Sequence, residues 1–436
     1  MTSALRPGRW PRDVTPTPEF EKARAYIENG AGHLFVTGKA GTGKSTLLRA
    51  LRDSEDTSSI VLAPTGLAAV QVGGQTIHSF FGLPPRLVKP EDIKPSRKLG
   101  LMRKLKTLVI DEVSMVRSDL MEGIDRSLRL NRKRPNDPFG GVRMVLFGDP
   151  HQLPPVVQEG ELRSYLHDKF GGPFFFDAPG LKESDSCLIE LSTVFRQSGG
   201  PFLEALNSLR EGAPSPTAMA LLNSRVQRFH DLPNKDAYVI LTPTNQVANE
   251  INQSFLAKLP GKDWISEAAI TGTYADGAHP TDQSLLLKEG AKVILIRNDP
   301  DKRWVNGTLA RVARLDGDQV FIEIDGEEHE VEHATWEAIR YEFDAKTDKI
   351  VEQVAGTFKQ LPLRLAWALT IHKAQGLTLD HVYIDMGRGA FAHGQAYVAL
   401  SRCRTLEGLS MARPLARHDV IFDKAATGYR RVFSAM

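Results

Sequence analysis

The chain has 436 residues, of which 41% are hydrophobic and 25% are charged, and its formal net charge is +2. This length predicts several domains, the composition is that of a globular protein, and no apolar run reaches the roughly 18 residues of a membrane helix. The only cysteines, Cys187 and Cys403, lie far apart and offer neither a disulfide framework nor zinc-ligand spacing. We therefore expect a cytoplasmic protein that does not enter a membrane.

The small net charge conceals an uneven distribution. Residues 314–350 contain twelve acidic and four basic residues, so their net charge is −8 and that of the rest of the chain is +10. Basic residues cluster at 94–106 and at 126–134. Such clusters occur on solvated helix faces and in nucleic-acid grooves, and charge alone favours the solvated face.

The first functional motif is the stretch "GKAGTGKS", which fits G-x-x-x-x-G-K-S. An apolar run, 34–36, precedes it and a helix-forming run, 45–51, follows it, as a phosphate loop requires. Backbone N–H groups of such a loop surround phosphate oxygens, the lysine neutralises the terminal phosphates and the serine hydroxyl holds Mg²⁺. The predicted nucleotide contacts are Gly38, Ala40, Gly41, Thr42, Gly43, Lys44, Ser45 and Thr46.

A polar and aromatic string follows the next predicted strand, in "VLAPTGLAAVQVGGQTIHSFFGLP" (61–84). Hydroxyl groups suit phosphate contacts, and His or Phe rings suit stacking on unpaired bases. The predicted contacts to nucleic acid are Thr65, His78, Ser79 and Phe80. Taken alone, "SFF" favours a core element instead.

Two further strands end in polar residues. The string "LVIDE" places Asp111 and Glu112 at the carboxyl end of a buried strand, where ligands of parallel sheets bind. Asp111 is predicted to coordinate Mg²⁺ through water and Glu112 to polarise the attacking water; an N-cap pair is the alternative. In "VLFGDPHQLPPV" (145–156), Gln152 is predicted to hydrogen-bond the γ-phosphate or the attacking water, and a solvated Pro-rich turn is the alternative.

The second half repeats the strand-then-polar pattern and contains an insertion. The segment "AYVILTPTNQVANEIN" (237–252) reads as a strand, a polar turn and a helix. In 303–332, short apolar runs alternate with the Asp-Gly pairs 316–317 and 325–326, which predicts antiparallel hairpins inserted in an α/β lobe. No Asn-Lys-x-Asp signature is present, so a GTPase is disfavoured.

Taken together, the motifs resemble those of superfamily-one helicases of the RecD-like branch, and most closely the PIF (petite integration frequency) helicase family. The resemblance covers about residues 34–409, and we expect a nearly bare helicase core without that family's amino-terminal extension. The blocks that carry it, in chain order, are "GGQTIHSFFG", "IDEVSM", "GDPHQLPPV", "LSTVFRQ", "LTPTNQVANEIN", "AWALTIHKAQGLTLDHVYID" and "GQAYVALSRCRTLEGL".

The resemblance implies a fold class: α/β, with two RecA-like phosphate-loop lobes of parallel sheets, a small inserted β-barrel of Src-homology type and a short wedge insertion. The expected first lobe is 1–190, with the wedge at about 84–104, where Leu99 and Leu101 would pack on a terminal base pair; a connecting loop plus helix is the alternative. The expected second lobe is 191–305 with 360–436, and 306–359 is the expected barrel.

The resemblance also implies residue roles. Arg196 and Arg402 would reach the γ-phosphate as arginine fingers, and Gln375 and Gly376 would couple the nucleotide to DNA. The DNA contacts implied in the second lobe are Thr242, Asn245, Thr370, His372 and Lys373. The family's adenine-reading glutamine is absent, because no Gln occurs in residues 1–70, and Glu19 or a backbone group is the substitute considered.

We therefore predict an ATP- and Mg²⁺-dependent 5′→3′ DNA helicase that acts in genome maintenance on single strands, single–double-strand junctions, forks or G-quadruplexes. It is expected to be a monomer associated with a bacterial-type nucleoid, with a single-strand-binding protein as a partner. The alternatives are a RecD-like subunit of a nuclease complex, an RNA helicase, or a DNA-stimulated ATPase that does not unwind.

Overall fold

The computed structural model describes residues 10, 14–30, 32–52, 58–157, 160–195 and 200–436. The chain forms two compact units. Unit one comprises Met1–Phe195, Glu337–Gly356 and Asp423–Met436, and unit two comprises Arg196–Trp336 and Thr357–Phe422. Each unit is therefore built from separated stretches of sequence.

Strands and helices alternate through the first 195 residues. The strands are β1 (His33–Gly38), β2 (Ser59–Ala63), β3 (Gln75–Thr76), β4 (Thr107–Ile110), β5 (Arg143–Phe147) and β6 (Ser186–Leu191). The helices are α1 (Pro18–Asn29), α2 (Lys44–Arg52), α3 (Gly66–Gln71), α4 (Ile77–Phe81), α5 (Leu99–Lys104), α6 (Ser118–Arg132), α7 (Glu161–Phe170) and α8 (Pro179–Lys182).

The next stretch contains both parallel and antiparallel elements. Its strands are β7 (Val239–Thr242), β8 (Trp264–Glu267), β9 (Ala269–Gly272), β10 (Ser284–Leu287), β11 (Lys292–Leu295), β12 (Leu309–Asp316), β13 (Gln319–Ile324), β14 (Glu327–Val331), β15 (Ala334–Asp344), β16 (Lys349–Gln360), β17 (Leu363–Leu365), β18 (Ala368–Thr370), β19 (Val382–Ile384) and β20 (Leu409–Met411). Its helices are α9 (Pro201–Arg210), α10 (Pro216–Asn223), α11 (Asn245–Lys258) and α12 (Gln395–Leu400). The chain continues into α13 (Tyr429–Val432) and β21 (Ser434–Ala435).

Unit one is organised around a seven-stranded sheet of order β21-β6-β1-β5-β4-β2-β3. Every neighbouring pair in it is parallel. All six residues of β1 are buried, as expected for a central strand covered on both faces. The predicted parallel α/β fold is confirmed.

Unit two has a parallel sheet of its own, of order β18-β7-β19-β20. Further strands form a five-stranded sheet of order β14-β13-β12-β11-β17, in which all pairs are antiparallel, and the antiparallel pair β10-β8. Strand β9 belongs to a three-stranded sheet of order β15-β16-β9. Turns at Gly317–Asp318 and Asp325–Gly326 close the hairpins β12–β13 and β13–β14, because Asp316 pairs with Gln319 and Ile324 with Glu327. The predicted antiparallel hairpins are confirmed.

The segment Asp423–Met436 lies in unit one, although the sequence suggested that residues 360–436 belong to the second lobe. Strand β21 pairs in parallel with β6, and the rings of Tyr429 and Phe433 lie 5.6 Å and 5.1 Å from the ring of Phe35. The segment has no motif of its own, so its place depends on apolar contacts that a linear pattern does not display.

The segment Glu337–Gly356, which is the end of the β15–β16 hairpin, also lies in unit one. The Tyr341 carbonyl accepts from Lys98 Nζ at 3.0 Å, and its ring packs in the same core as Leu101. Leu101 is fully buried, whereas Leu99 is 41% exposed. The prediction that Leu101 packs on a base pair is wrong, because its side chain anchors α5 to the sheet.

The basic cluster at 126–134 is largely neutralised inside unit one. Arg126 pairs with Glu122, and Arg129 pairs with Asp125 and Glu183. Arg132 donates to the carbonyls of Gly140, Met102 and Leu105. These guanidinium groups hold α6 to its neighbours, so the cluster is structural.

Among the described residues, no helix combines the length and the apolar character that a bilayer crossing demands.

Candidate nucleotide site and nucleic-acid interface

The phosphate loop connects β1 to α2 in unit one. Gly41 and Gly43 have φ of 80° and 84°, values that side-chain-bearing residues rarely adopt, so the loop's tight path requires glycine at both positions. The hydroxyl of Thr42 donates to the Lys39 carbonyl at 2.9 Å and fixes the turn. The loop therefore has the conformation that exposes backbone N–H groups at a helix start.

Lys44 lies within this loop rather than in solvent. Its Nζ donates to the carbonyl oxygens of Gly38 at 2.7 Å and Lys39 at 3.1 Å. Ser45 is exposed and Thr46 is partly exposed at the first turn of α2. An ammonium group, a helix start and free hydroxyls converge on one small volume, which suits a polyphosphate.

Asp111 and Glu112 follow β4 directly. Asp111 is 8% exposed, and burial, with a further contribution from the Glu112 carboxylate, raises the pKa of Asp111 to about 7. Lys44 acts in the opposite direction and favours the charged carboxylate. Glu112 has φ of 48°, a strained value for a residue with a side chain, which is common in functional turns.

The turn after β5 is held by an internal network. Asp149 is 1% exposed, and its N–H donates to the Ser114 hydroxyl at 3.2 Å. Its carboxylate accepts from the His151 N–H and from Gln152 Nε2, both at 3.2 Å. Asp149 therefore fixes the direction of the Gln152 side chain, a role that the sequence did not predict.

The strand order brings these pieces together. β1, β5 and β4 are consecutive neighbours in a parallel sheet, so the phosphate loop, the 149–152 turn and the Asp111–Glu112 pair all lie at its carboxyl edge. Ligands of open α/β sheets bind at this edge. The sequence predicted each piece, and the parallel register explains how they meet.

A divalent cation fits this edge chemically. Ser45 and Asp111 would offer hydroxyl and carboxylate oxygens, the ligands that Mg²⁺ prefers. Burial of the Asp111 carboxylate, together with the neighbouring Glu112 carboxylate, raises the pKa of Asp111, and a cation there would favour its charged form. Within the described stretches, no group of three or more His, Cys, Asp or Glu residues forms a closed metal cage.

The residues of unit two that the sequence predicts to sense the nucleotide have a different setting. Arg402 is 1% exposed and donates to the Val398 carbonyl at 3.0 Å and to the Ser401 hydroxyl at 2.8 Å. Gly376 has φ of 80°, and Gln375 precedes it in the same turn. Arg196 lies outside the described residues.

Two of the four nucleic-acid contacts predicted in unit one have structural roles in this fold. Thr65 caps α3, since its hydroxyl accepts from the Ala68 N–H at 3.2 Å. Phe80 is 3% exposed in the core and lies 6.3 Å from the Tyr341 ring, so the prediction that it stacks on a base is wrong. Ser79 is exposed and His78 is partly exposed, so both remain available.

The contacts predicted in unit two divide in the same way. Thr242 and Thr370 are buried; the first donates to the Thr244 carbonyl and the second accepts from the Lys373 N–H. Their hydroxyl groups therefore shape turns, and the prediction that they touch DNA is corrected. Asn245, His372 and Lys373 are exposed beside these turns.

Two residues that lie beside the predicted nucleotide site were not identified from the sequence. Ser114 positions Asp149 and could have been found only from its place in "DEVSM", since a buried serine leaves no periodic signal. Phe195 is 54% exposed, and its N–H donates to the Gly41 carbonyl at 2.8 Å. An aromatic residue just before a predicted arginine finger was the available signal.

The fold and this sheet edge define a phosphate-loop nucleoside triphosphatase that carries two parallel-sheet units. A family model described as PIF1-like helicase matches residues 20–170. The chain is 33% identical to the ATP-dependent DNA helicase Pif1 of Bdellovibrio bacteriovorus, over 96% of this chain and 92% of that protein. The chain therefore belongs to the PIF1-like helicase family, a family of ATP-dependent DNA helicases.

Solved structures agree with this assignment. The structure of Pif1 from a Bacteroides species in complex with ADP-AlF4 aligns with a TM-score of 0.89 at 36% identity, covering 96% of this chain and 97% of that one. Bacteroides Pif1 bound to single-stranded DNA aligns with a TM-score of 0.68 at 36% identity and the same coverage. These alignments confirm the predicted family.

Proposed function

We propose that this helicase uses Mg²⁺-dependent ATP hydrolysis to move 5′→3′ along single-stranded DNA and to unwind duplex, forked or G-quadruplex DNA. The observation that supports it best is the single sheet edge shared by the phosphate loop, Asp111–Glu112 and the 149–152 turn. Hydrolysis of a bound triphosphate needs these three parts beside one another.

Each part has a distinct role in the proposal. The loop from Gly38 to Thr46 binds the phosphates, and Lys44 neutralises charge on the terminal ones. Ser45 and Asp111 would hold Mg²⁺, which supplies charge neutralisation of the phosphate oxygens when bound. Glu112 orients the attacking water, and Gln152, held by Asp149, reports the presence of the γ-phosphate.

Residues of unit two are proposed to complete the nucleotide site, and exposed polar residues of both units are proposed to contact DNA. We propose Arg196 and Arg402 as the guanidinium groups that stabilise the transferring phosphoryl group, and Gln375–Gly376 as the link between nucleotide and DNA. The polar side chains proposed to contact a single strand are partly exposed, as for Thr65 and His78, or exposed, as for Ser79, Asn245, His372 and Lys373. Partial desolvation of the Lys373 ammonium group lowers its pKa, and the positive charge of the nearby Arg364 lowers it further. A DNA phosphate bound there would interact with both positive charges.

Unwinding of tailed duplexes tests the function directly. One duplex carries a 5′ single-stranded tail and a matched duplex carries the same tail at its 3′ end. Unwinding of the 5′-tailed duplex alone, dependent on ATP and Mg²⁺, is the expected result. Unwinding from the 3′ tail alone would contradict the polarity, and DNA-stimulated hydrolysis without unwinding would favour a passive ATPase or a subunit of a larger complex.

The proposed setting is a monomer at single–double-strand junctions of nucleoid DNA, alongside a single-strand-binding protein. Light scattering of the chain on a forked oligonucleotide should give the mass of one protein per fork. A stable complex with nuclease subunits, recovered under the same conditions, would instead support the RecD-like alternative.

A further inference from the structure

Two phenylalanine rings flank the phosphate loop at Gly43, and we call them the aromatic pair (Phe20 and Phe195). A Cβ atom added at Gly43 would lie 2.8 Å from Phe20 Cζ and 3.6 Å from Phe195 Cε2. The two ring centroids are 6.5 Å apart and the rings are tilted by 52°. The pair therefore borders the loop at the point where it enters α2.

The two rings differ in their exposure. Phe20 is 1% exposed and packs in the core beneath the loop, whereas Phe195 is 54% exposed. The Phe195 N–H donates to the Gly41 carbonyl at 2.8 Å, so this ring keeps its place relative to the phosphate-binding backbone. The pair thus presents one fixed, open aromatic face at the rim of the loop.

Because Phe195 borders the loop at Gly41 and Gly43, a nucleotide with its phosphates in this loop would have its nucleoside within reach of that ring. A flat base gains stability by stacking on an aromatic face, and every base has such a face, so stacking does not distinguish one base from another. Discrimination instead requires a donor and an acceptor directed at the base edge.

Most described side chains next to Phe20 already have hydrogen-bond partners. The Trp10 ring lies 5.9 Å from the Phe20 ring, and its Nε1 donates to Glu21 Oε1. The only side-chain amide in residues 1–70 belongs to Asn29, at the far end of α1, and it donates to the Ala25 carbonyl. Thr17 Oγ1 accepts from the Phe20 N–H, and Glu19 Oε1 accepts from the Ser192 hydroxyl. Glu19 Oε2 is buried without a hydrogen-bond partner, and a carboxylate oxygen is an acceptor only.

We propose that the aromatic pair holds the nucleotide base by stacking alone, so that purine and pyrimidine triphosphates are hydrolysed with little discrimination. The inference rests on the proposed nucleotide site and adds its specificity. Phe195 supplies the stacking face, and Phe20 packs in the core beneath it without offering a polar group.

Steady-state hydrolysis of ATP, GTP, CTP and UTP, each with Mg²⁺ and a single-stranded oligonucleotide, tests the proposal. The four values of kcat/KM should agree within about fivefold. Phe195→Ala should raise KM for all four by roughly tenfold, the order of one lost stacking contact, with little change in kcat. Inhibition by inorganic tripolyphosphate should be unchanged in this variant, because the phosphate contacts persist.

The control and the contrary outcomes separate the possible explanations. Tyr165→Ala removes another exposed aromatic ring of unit one and should leave all four KM values as they are. A tenfold or larger preference for ATP alone would overturn the proposal, as would unchanged KM values in Phe195→Ala. The bases of ATP and CTP carry an amino group at the ring position where those of GTP and UTP carry a carbonyl. A preference for ATP and CTP that disappears in Glu19→Ala would overturn the proposal in favour of edge reading by Glu19.

The same assay keeps this inference distinct from the proposed function. If Lys44→Ala stops hydrolysis of every triphosphate but the wild type is selective, only the stacking inference fails. If hydrolysis survives Lys44→Ala, the phosphate-loop assignment itself fails.

Discussion

The ammonium group of Lys44 is held at the phosphate loop by two carbonyl oxygens of the loop itself. Lys44→Ala should reduce DNA-stimulated phosphate release by at least roughly a hundredfold, since the developing charge on the terminal phosphates would lose its main partner. Lys22→Ala, an exposed lysine on α1, is the control and should be fully active. Substantial hydrolysis by Lys44→Ala would contradict the site.

Arg402 combines a predicted catalytic role with an observed structural one. We expect Arg402→Ala to bind nucleotide and to lose hydrolysis, measured by fluorescent-nucleotide binding and by phosphate release. Arg404→Ala is the matched control. Arg404 lies two residues after Arg402 in the sequence, and it is an exposed arginine paired with Asp380. Loss of binding would make Arg402 a ground-state contact, and a lower melting temperature with normal hydrolysis would leave only its structural role.

His33 couples stability to pH. Burial, with a further contribution from Arg143, lowers the pKa of His33 to about 4, against 6.5 in an unfolded chain. Above pH 6.5 the His33 imidazole is neutral in both the folded and the unfolded chain. Between pH 6.5 and 4 it takes up a proton only in the unfolded chain, so the free energy of unfolding falls as pH falls through this window. The loss is about 3 kcal/mol in total.

Urea unfolding between pH 7.5 and 4 measures this effect. His33→Asn keeps a hydrogen-bond acceptor for the Met144 N–H but does not titrate, so the dependence of stability on pH should weaken by about one proton. His230→Asn, at an exposed position, serves as the control. An unchanged slope in His33→Asn would show that other groups cause the acid sensitivity.

At the scale of elements, α6 shows how one guanidinium group can hold a helix end. Arg132→Ala would leave the carbonyls of Met102 and Leu105, at the end of α5, without this donor, and we expect a loss of about 2–4 kcal/mol. Arg126→Ala removes a more exposed pair on the same helix and should cost less than about 1 kcal/mol. Chemical denaturation of both variants compares them, and equal costs would contradict the internal role of Arg132.

The elements also show which features a sequence can reveal. The phosphate loop and Asp111–Glu112 are local signatures that follow apolar strands, so their chemistry and their order along the chain are both legible. The hydroxyl of Thr370 and the ring of Phe80 look equally functional in the sequence. Their burial depends on partners far along the chain, because Thr370 pairs with Thr242 of β7 and Phe80 packs beside Tyr341. The basic run 126–134 misleads too, because its acceptors are carboxylates one turn earlier on the same helix, the more distant Glu183 and backbone carbonyls.

At the scale of the whole molecule, unit one depends on Asp423–Met436 to complete its core. Phe433→Ala removes a fully buried ring beside Phe35 and should destabilise unit one by about 3–5 kcal/mol. Arg431→Ala, an exposed substitution two residues earlier, should have almost no effect. Thermal unfolding of the two variants provides the comparison, and similar melting temperatures would contradict the role of this segment in the core.

The interleaving of the chain has a consequence for biosynthesis. Ribosomes add about 5–20 residues per second, and roughly 240 residues separate the end of the first stretch of unit one at Phe195 from strand β21 at Ser434. The nascent sheet therefore waits on the order of 10–50 s with the β6 edge unpaired and the apolar surface around Phe35 uncovered. During translation, this nascent edge is the surface on which chaperones and proteases would act before the phosphate loop lies in a finished domain.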